Sequence, residues 1–399
     1  MPGTSPSGLR RRNRDVVLRM IARHAPVSRT HIARRSGLTG AAVSRIIGEL
    51  IEAGLVREGA QIRTKGQVGR RNIALELCPN GAYVLGIALA ANVRSVCIAN
   101  CRGEIVAGRK VPGLDMDDPG ATIDRLCAEA ASLVTASGID RSRLMGCGIS
   151  IAGVPDPDTG DLVHAHHLGW APRPLGREFA ERLALPVRVE ARPVALLMAE
   201  LWGGAAAGKR NVVLVSNGIW IGGAIMMDGV VLRGHRNMAG QLPHMRIAHT
   251  DARCFCGRTG CLNAVASGQA VMDRLTHLAI PGLEGDVEPG ERLQHLAQLR
   301  GPRFRDVAQT FREAGRHMGH AIDNIMELLD PELVLMAGAA GRHPDYIDGL
   351  KETLAALRPG ENDWPVQASE VTSDQSAIWM GLDAFVYSQS LDIEQLTAA

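Results

Sequence analysis

Apolar positions near the start of the chain recur at the three- and four-residue spacing of amphipathic helices. Residues 15–23 predict a first helix. Ser28 predicts the N-cap of a second helix that ends at Gly37, and Thr39 predicts the N-cap of a third that ends at Gly54. The apolar faces are Val16, Val17, Met20 and Ile21 in the first helix, Ile32 and Ala33 in the second, and Val43, Ile46, Ile47, Leu50 and Ile51, facing inward, in the third.

After residue 80 the pattern changes to strands that alternate with helices. Apolar runs at 83–90 and 95–100 and a turn at Arg102–Gly103 predict a β-meander, and Gly153–Asp156 predicts a loop. Further predicted elements are helices at 121–137, 311–329 and 377–389, the last being the final helix, and strands at 145–151 and 334–338. This alternation indicates the α/β class.

Composition limits the protein class. Of 399 residues, 46% are apolar, enough for a large core, but only 3% are aromatic. No apolar run reaches the roughly 18 residues of a membrane span, and the Arg-rich start lacks the apolar core of a secretory signal. We therefore expect a cytoplasmic protein. The cysteines outside a cluster at 254–261, namely Cys78, Cys97, Cys101, Cys127 and Cys147, are expected to be reduced core residues.

Charge is distributed unevenly along the chain. Residues 1–71 carry 15 Lys/Arg and 4 Asp/Glu, a net charge of +11, whereas the remainder carries 29 and 38, a net charge of −9. A basic segment with the helix-turn-helix layout predicts DNA binding, with the third helix in the major groove. The alternatives are a solvated basic tail and a small helical bundle for protein contacts.

The predicted DNA contacts lie on the third helix and on a basic hairpin after it. Small residues at the start of the helix allow a close approach to base edges, and Arg45 can bond guanine or phosphate. A glycine-rich basic hairpin is typical of a wing that reaches phosphates or a minor groove. The predicted residues are Ser28, Thr39, Ala41, Ala42, Ser44 and Arg45, with Arg63, Lys65, Arg70 and Arg71 in the wing.

One histidine and three cysteines have the spacing of a metal site. His244, Cys254, Cys256 and Cys261 are four soft N/S donors, and glycines between the last two thiols allow the loop to fold back. Four protein ligands leave no open position, so the predicted Zn²⁺ is structural. The alternative is three unpaired thiols.

Several motifs together resemble the ROK family, in its repressor branch. The resemblance rests on Ser28–Val56, Gly153-Val154-Pro155, His167-Leu168-Gly169-Trp170, Arg233-Gly234, Ala239-Gly240 with His244, and the cysteine signature from Cys254 to Cys261. It implies a winged helix-turn-helix joined to a two-lobed, actin-like (ribonuclease H-like) sugar-kinase body. The expected domains are 1–80 for DNA binding, 81–190 for the first lobe, completed by 375–399, and 191–374 for the second lobe with the ligand cleft.

The resemblance also implies that kinase chemistry is lost. Family kinases carry a first loop like Asp-x-Gly-Gly-Thr, where this chain has residues 88–92, Ala-Leu-Ala-Ala-Asn. Their catalytic Asp falls on Arg192, which cannot accept a proton, and their Gly-Thr-Gly falls on Gly218-Ile219-Trp220, where an indole would obstruct phosphate. We expect no ATP or Mg²⁺ requirement.

The family's sugar contacts are altered as well. Family members carry Glu-x-Gly-His, which here is Gln241-Leu242-Pro243-His244, and Cys-Leu-Glu, which here is Cys261-Leu262-Asn263. The expected ligand contacts are Gly153, His167, Arg192, Gln241, His244 and Asn263. Arg192 could bind an anionic group of an effector or instead pair with Glu190 or Glu200.

These observations predict a DNA-binding transcription regulator, a repressor, whose non-catalytic body senses a sugar or sugar-derived, anionic effector. It is expected to bind a palindromic operator as a homodimer or homotetramer, because two-fold copies read two half-sites. The alternatives are a ROK sugar kinase with an attached DNA-binding module and a ligand-independent DNA-binding regulator.

Overall fold

The computed structural model of the chain describes residues 6–62, 72–90, 93–247, 251–285 and 287–397. The chain divides into two compact units. One comprises Met1–Leu89, Arg94–Glu190 and Ser373–Ala399, and the other comprises Ala90–Val93 and Ala191–Thr372. None of the helices in the described ranges is both long and apolar enough to cross a membrane. The domain boundaries expected from the sequence stay predictions.

The N-terminal elements form a helix-turn-helix with a small antiparallel sheet. They are α1 (Pro6–His24), β1 (Val27–Ser28), α2 (Arg29–Ser36), α3 (Gly40–Glu52), β2 (Val56–Ile62) and β3 (Asn72–Leu77), with β3 between β1 and β2. Ser28 Oγ accepts a hydrogen bond from the His31 amide and Thr39 Oγ1 accepts one from the Ala42 amide, both at 3.2 Å. Gly37 ends α2 with a φ of 72°. Both predicted caps and the glycine stop are confirmed.

The buried face of α1 differs from the prediction. Val17 and Ile21 are buried, but Val16 and Met20 are only half-buried. The buried residues of α1 are Arg14, Val17, Leu18 and Ile21, the i, i+3, i+4, i+7 stripe of a helix. The first residue of this buried stripe, Arg14, is therefore charged.

Helix α3 has four of its five predicted inward residues buried, namely Val43, Ile46, Ile47 and Leu50. Ile51 is 37% exposed, so its inward assignment was wrong. Ile51 lies in the last turn of α3. The spacing of apolar residues predicts which face of a helix is buried but not at which residue the burial of that face ends.

The first α/β unit is built on a five-stranded sheet with the order β10-β7-β4-β5-β6. Its elements are β4 (Tyr83–Ala90), β5 (Val93–Asn100), β6 (Ile105–Lys110), α4 (Pro119–Ser137), β7 (Leu144–Ile151), β8 (Val154–Pro155), β9 (Leu162–His164), α5 (Leu175–Leu183) and β10 (Val187–Ala191). The predicted loop at Gly153–Asp156 was wrong in part, because β8 pairs there with β9 in a separate antiparallel hairpin.

The second unit has a five-stranded sheet with the order β13-β12-β11-β14-β15. Val213 and Val215 of β11 face one apolar cluster, while Val212 and Leu214 face another, so both faces of the sheet are covered. The elements are α6 (Arg192–Gly203), β11 (Val212–Asn217), β12 (Ile221–Met227), β13 (Val230–Val231), α7 (Leu262–Ala266), α8 (Gly268–Arg274), α9 (Pro289–Leu296), α10 (Arg305–Leu329), β14 (Leu333–Ala337), α11 (Pro344–Leu357) and β15 (Val366–Ala368).

The end of the chain returns to the first unit as α12 (Ser373–Phe385) and α13 (Ile393–Thr397). The prediction that 377–389 is the final helix was wrong, because α13 follows it. Helix α12 packs closely on β7: a Cβ placed on Gly148 would lie 2.1 Å from the Ala377 carbonyl oxygen and 2.7 Å from the Gly381 amide nitrogen. Only glycine fits at Gly148.

Helix α12 and the segment after it also contact α1. Arg19 donates to Asp15 in its own helix and to Asp383 of α12, each at 2.7 Å. The buried Arg14 guanidinium donates to the Leu391 carbonyl at 3.0 Å. Two arginines of α1 therefore join the helix-turn-helix to the C-terminal segment of the same unit.

Candidate functional site

The exposed face of α3 carries the predicted base-reading residues. Ala41, Ser44 and Arg45 are exposed, Ala42 is half-buried, and Thr39 caps the helix at its start. Small side chains at the first turn leave room for close approach to the helix, and Arg45 on the same helix is exposed. This face has the shape and polarity that a major-groove helix requires.

The charges around α3 leave Arg45 without a carboxylate partner among the described residues. Glu49, one helical turn after Arg45, instead accepts a hydrogen bond from Arg10 of α1. An (i, i+4) pair between Arg45 and Glu49 would otherwise be favoured on a helix surface. In the structure the Glu49 carboxylate is therefore paired with Arg10 rather than with Arg45.

The remaining predicted DNA contacts divide into two groups. Ser28 is 6% exposed and its hydroxyl caps α2, so its side chain holds the helix in place rather than lying on the exposed face. The wing residues Arg63, Lys65, Arg70 and Arg71 lie outside the described residues.

His244 and the three clustered cysteines come together in the second unit as the sequence predicted. Their four donor atoms lie within 4.8 Å of one another. Cys254 Sγ is 3.7 Å from His244 Nδ1, and Cys256 Sγ is 3.8 Å from Cys261 Sγ. A zinc tetrahedron with bonds of about 2.3 Å to sulfur and about 2.0–2.1 Å to nitrogen has edges of about 3.6–3.8 Å. The cluster could therefore hold a tetrahedral metal ion.

Local backbone geometry forms the loop that carries the cysteines. Gly257 has a φ of 85° and Gly260 a φ of 71°, conformations that favour glycine, and they let the chain reverse between Cys256 and Cys261. The Cys254 amide donates to the Arg258 carbonyl at 2.8 Å, which closes the turn.

The thiols of the cluster differ in acidity. Burial raises the pKa of Cys254, and it raises the pKa of Cys261 to about 12. Burial acts to raise the pKa of Cys256 as well, but hydrogen bonds from the side chain of Arg258 (Nε at 3.4 Å) and its backbone, together with those to Cys254 and Cys261, lower it to about 7. A cation that binds here must therefore displace protons from two of the thiols.

Arg192 is the first residue of α6 and lies at the carboxyl end of β11. Its Nη1 donates to Ser216 Oγ at 2.8 Å. Burial, together with the neighbouring positive charge of Arg342, lowers its pKa to about 10. Glu200, considered from the sequence as a partner of Arg192, accepts a hydrogen bond from the Ala205 amide at 2.7 Å. The proximity of Arg342 was not anticipated, because 150 residues separate the two arginines.

The other predicted ligand residues occupy different environments. Gln241 is exposed and His244 is half-buried, whereas Asn263 is 2% exposed and its Oδ1 accepts a hydrogen bond from the Ile221 amide at 3.0 Å. That bond holds the turn of the β11–β12 hairpin. Gly153 and His167 belong to the first unit, and Gly153 has no room for a Cβ beside the His164 carbonyl.

Two aromatic residues beside the cysteine loop had no predicted role in binding. Phe255, between two of the cysteines, is 45% exposed, and its ring contacts those of Trp220 and His244 edge-on. Trp220 was considered only as an obstacle to phosphate. The sequence signal that could have indicated a binding role was the presence of Phe255 in a polar loop of a chain with few aromatic residues.

Family models match most of the chain. The ROK family model matches residues 84–386, and the MarR family model matches residues 16–64. The xylose repressor of Caldicellulosiruptor bescii is 26% identical over 354 residues, which cover 87% of this chain and 88% of the relative. The DNA-binding transcriptional dual regulator NagC of Escherichia coli is 24% identical over 328 residues, which cover 82% of this chain and 80% of the relative.

Solved structures match the fold. A ROK family transcriptional regulator, a homologue of the Escherichia coli MLC protein, matches with a TM-score of 0.75 at 24% identity, covering 98% of this chain and all of that chain. A ROK family glucokinase from Streptomyces griseus, in complex with glucose and AMPPNP, matches with a TM-score of 0.64 at 22% identity, covering 75% and 98%. The predicted architecture, a winged-helix-like domain followed by a sugar-kinase-like body, is confirmed.

Proposed function

This chain belongs to the ROK family, and we propose that it is a DNA-binding transcriptional repressor whose body responds to a sugar-derived effector. The observation that carries the proposal is the exposed face of α3, with small residues and an Arg45 that has no carboxylate partner among the described residues, in a segment that precedes the part of the chain matched by the ROK family model. A relative named as a xylose repressor aligns with 87% of the chain and one named as a DNA-binding transcriptional dual regulator aligns with 82%, so the similarity extends beyond the body.

The body is proposed to lack phosphoryl transfer. Arg192 carries a guanidinium, which cannot act as a general base at neutral pH. Trp220 puts an indole in the turn between β11 and β12, and its ring is held against Phe255. Phosphate-binding turns instead rely on small residues that let backbone amides approach the anion. A coupled kinase assay with glucose, xylose and N-acetylglucosamine tests this, and turnover above a denatured control would favour the kinase alternative.

The cysteine cluster is proposed to hold one structural Zn²⁺. His244, Cys254, Cys256 and Cys261 would fill all four positions, leaving none for a reactive water. Bound zinc would fix the loop from Cys254 to Cys261, on which Phe255 is carried.

The effector is proposed to carry an anionic group that meets Arg192. Burial and the Arg342 charge both disfavour the positive charge of Arg192, and an anion would relieve that cost. Calorimetry with glucose, glucose 6-phosphate and gluconate on the wild-type protein and on Arg192→Ala tests this proposal. It fails if glucose binds better than both anionic analogues or if the substitution leaves their affinity unchanged.

The chain is proposed to bind a palindromic operator as a homodimer or homotetramer. One helix-turn-helix contacts a single half-site, and two-fold related copies place two recognition helices about one or two turns of DNA apart. Light scattering at micromolar concentration, with and without operator DNA, tests the assembly. A monomer with unchanged DNA affinity would contradict it.

DNA binding itself is tested by competition. The full chain is titrated against a duplex selected from genomic fragments and against a random duplex of equal length at several salt concentrations. A specific regulator prefers the selected duplex by at least about 10³-fold at physiological salt. Equal affinity for both duplexes would indicate a non-specific, architectural role.

A further inference from the structure

An exposed aromatic side chain lies on the cysteine loop of the second unit. Phe255 follows Cys254 directly and precedes Cys256, so two of the clustered cysteines flank it. Its side chain is nevertheless 45% exposed. The chain has only 13 Phe, Trp and Tyr residues among 399. Leaving one of them in solvent forgoes the burial energy that an aromatic ring would contribute to the core.

The ring of Phe255 belongs to a small aromatic cluster made of Trp220, His244 and Phe255. The Phe255 centroid lies 5.3 Å from that of Trp220, with 65° between the planes, and 5.4 Å from that of His244, with 64° between the planes. Both are edge-on arrangements within the range that aromatic pairs favour. The three rings therefore form a defined apolar surface.

The aromatic cluster is held by the core and by the β11–β12 hairpin of the second unit. Trp220 packs against the buried core of the second unit, as Met245 and Ile247 also do. It occupies the turn of the β11–β12 hairpin, which the buried Asn263 holds through the Ile221 amide. A cluster held by the hairpin on one side and by the cysteine loop on the other is preorganised before any ligand arrives.

Polar groups lie close to the aromatic cluster along the chain. Gln241, three residues before His244, is exposed and offers an amide donor and acceptor. Ser216, which pairs with Gly222 in the same hairpin, holds the guanidinium of Arg192. An apolar wall with a few polar groups beside it is the usual composition of a small-molecule site. A pyranose matches that composition, because its ring has an apolar C–H face and a polar hydroxyl rim.

We propose that Phe255 and Trp220 form the stacking wall of the effector site and take the apolar face of a sugar ring. The inference rests on the proposed function, namely a ROK body that responds to a sugar. It adds the residues that determine the preference for a pyranose ring, and it assigns the cysteine loop a second role, which is to hold the Phe255 ring in position.

The test compares Phe255→Leu, which removes the ring but keeps an apolar side chain, with Phe255→Tyr, which keeps the ring. Phe304→Leu, a half-buried aromatic elsewhere in the second unit, is the matched control. The probes are D-xylose, D-glucose, N-acetyl-D-glucosamine and D-glucose 6-phosphate, titrated by calorimetry into the full chain. Metal content and melting temperature are measured for each variant, so that loss of the loop is distinguished from loss of the ring.

For the sugar that binds the wild-type protein most tightly, Phe255→Leu should weaken affinity by about 3- to 10-fold at unchanged metal content. Phe255→Tyr and Phe304→Leu should bind within about twofold of the wild type. Sugar should also change the tryptophan emission of the wild type, and Trp220→Phe should abolish that change.

Two outcomes would overturn the inference in different ways. If a sugar binds the wild type and Phe255→Leu binds it equally well, the stacking wall is wrong while the proposed sugar response stands. If none of the four probes binds the wild type, the proposed effector class fails and the stacking wall fails with it. DNA binding by the same preparation, measured in parallel, distinguishes either outcome from a misfolded sample.

Discussion

Replacing Arg45 by alanine should relax the sequence preference of DNA binding. Arg45 is exposed on α3, and Glu49 one turn later is engaged by Arg10, so the Arg45 guanidinium is available for a base edge. A positioned arginine contact is worth about 1–3 kcal/mol of discrimination, which corresponds to about 5- to 150-fold in the ratio of specific to random affinity. Binding to random DNA should change far less.

The ion pair between Arg10 and Glu49 provides a second variant. Arg10→Ala should free the Glu49 carboxylate to pair with Arg45 and to repel phosphates, so specific binding weakens although Arg45 is intact. Glu49→Gln in the same background should restore binding, because it removes the competing carboxylate. Fluorescence anisotropy with the selected and random duplexes, at three salt concentrations, measures all variants.

Lys65→Ala, in the predicted wing, serves as the comparison. Loss of a phosphate contact weakens binding to every sequence and reduces the salt dependence by about one unit of log–log slope. If Arg45→Ala lowers affinity for both duplexes equally, Arg45 contacts the backbone and the assignment of α3 as the base-reading helix loses its main support.

Three further predictions concern the body and its attachment. Cys256→Ser should lower bound zinc from about one equivalent per chain to well under one half, and the effector response should fail before DNA binding does. Plasma emission spectroscopy measures the metal content, and an unchanged content would contradict the prediction. A double-mutant cycle with Arg19→Ala and Asp383→Ala, measured by urea unfolding, should give a coupling energy of about 0.5–1.5 kcal/mol, because both side chains are partly buried. If the stability losses of the two single variants simply add in the double variant, the ion pair contributes nothing. Gly148→Ala should destabilise the chain by at least about 1–3 kcal/mol, because the new Cβ would clash with the backbone of α12. Gly48→Ala in α3 should instead stabilise the chain by up to about 1 kcal/mol, because nothing lies within 4 Å of a Cβ at that position. Equal melting temperatures for the two variants would refute the close packing at Gly148.

Local chemistry was predictable from the sequence where a few neighbouring residues determine it. Ser28 and Thr39 cap their helices and Gly37 ends one, because each effect depends on one side chain and the next two or three amides. The cysteine cluster was equally predictable, since the spacing of its donors requires a reversal of the chain that Gly257 and Gly260 provide.

Features that depend on distant partners were not predictable. The buried stripe of α1 begins with Arg14, which is satisfied by the Leu391 carbonyl 377 residues later, and no local apolar pattern signals that bond. The proximity of Arg342 to Arg192 and of Phe255 to Trp220 likewise arises only when loops of the second unit fold together. The roles of the DNA and ligand residues stay predictions, because they concern partners of the chain.

The most direct test of the account is selection of genomic DNA fragments by the full-length chain, followed by sequencing. A ROK family repressor should enrich a small set of fragments that share one palindromic motif and lie upstream of genes for carbohydrate uptake or metabolism, and Arg45→Ala should lose that enrichment. Recovery of fragments in proportion to their abundance, with no shared motif in the wild type, would contradict sequence-specific regulation by this protein.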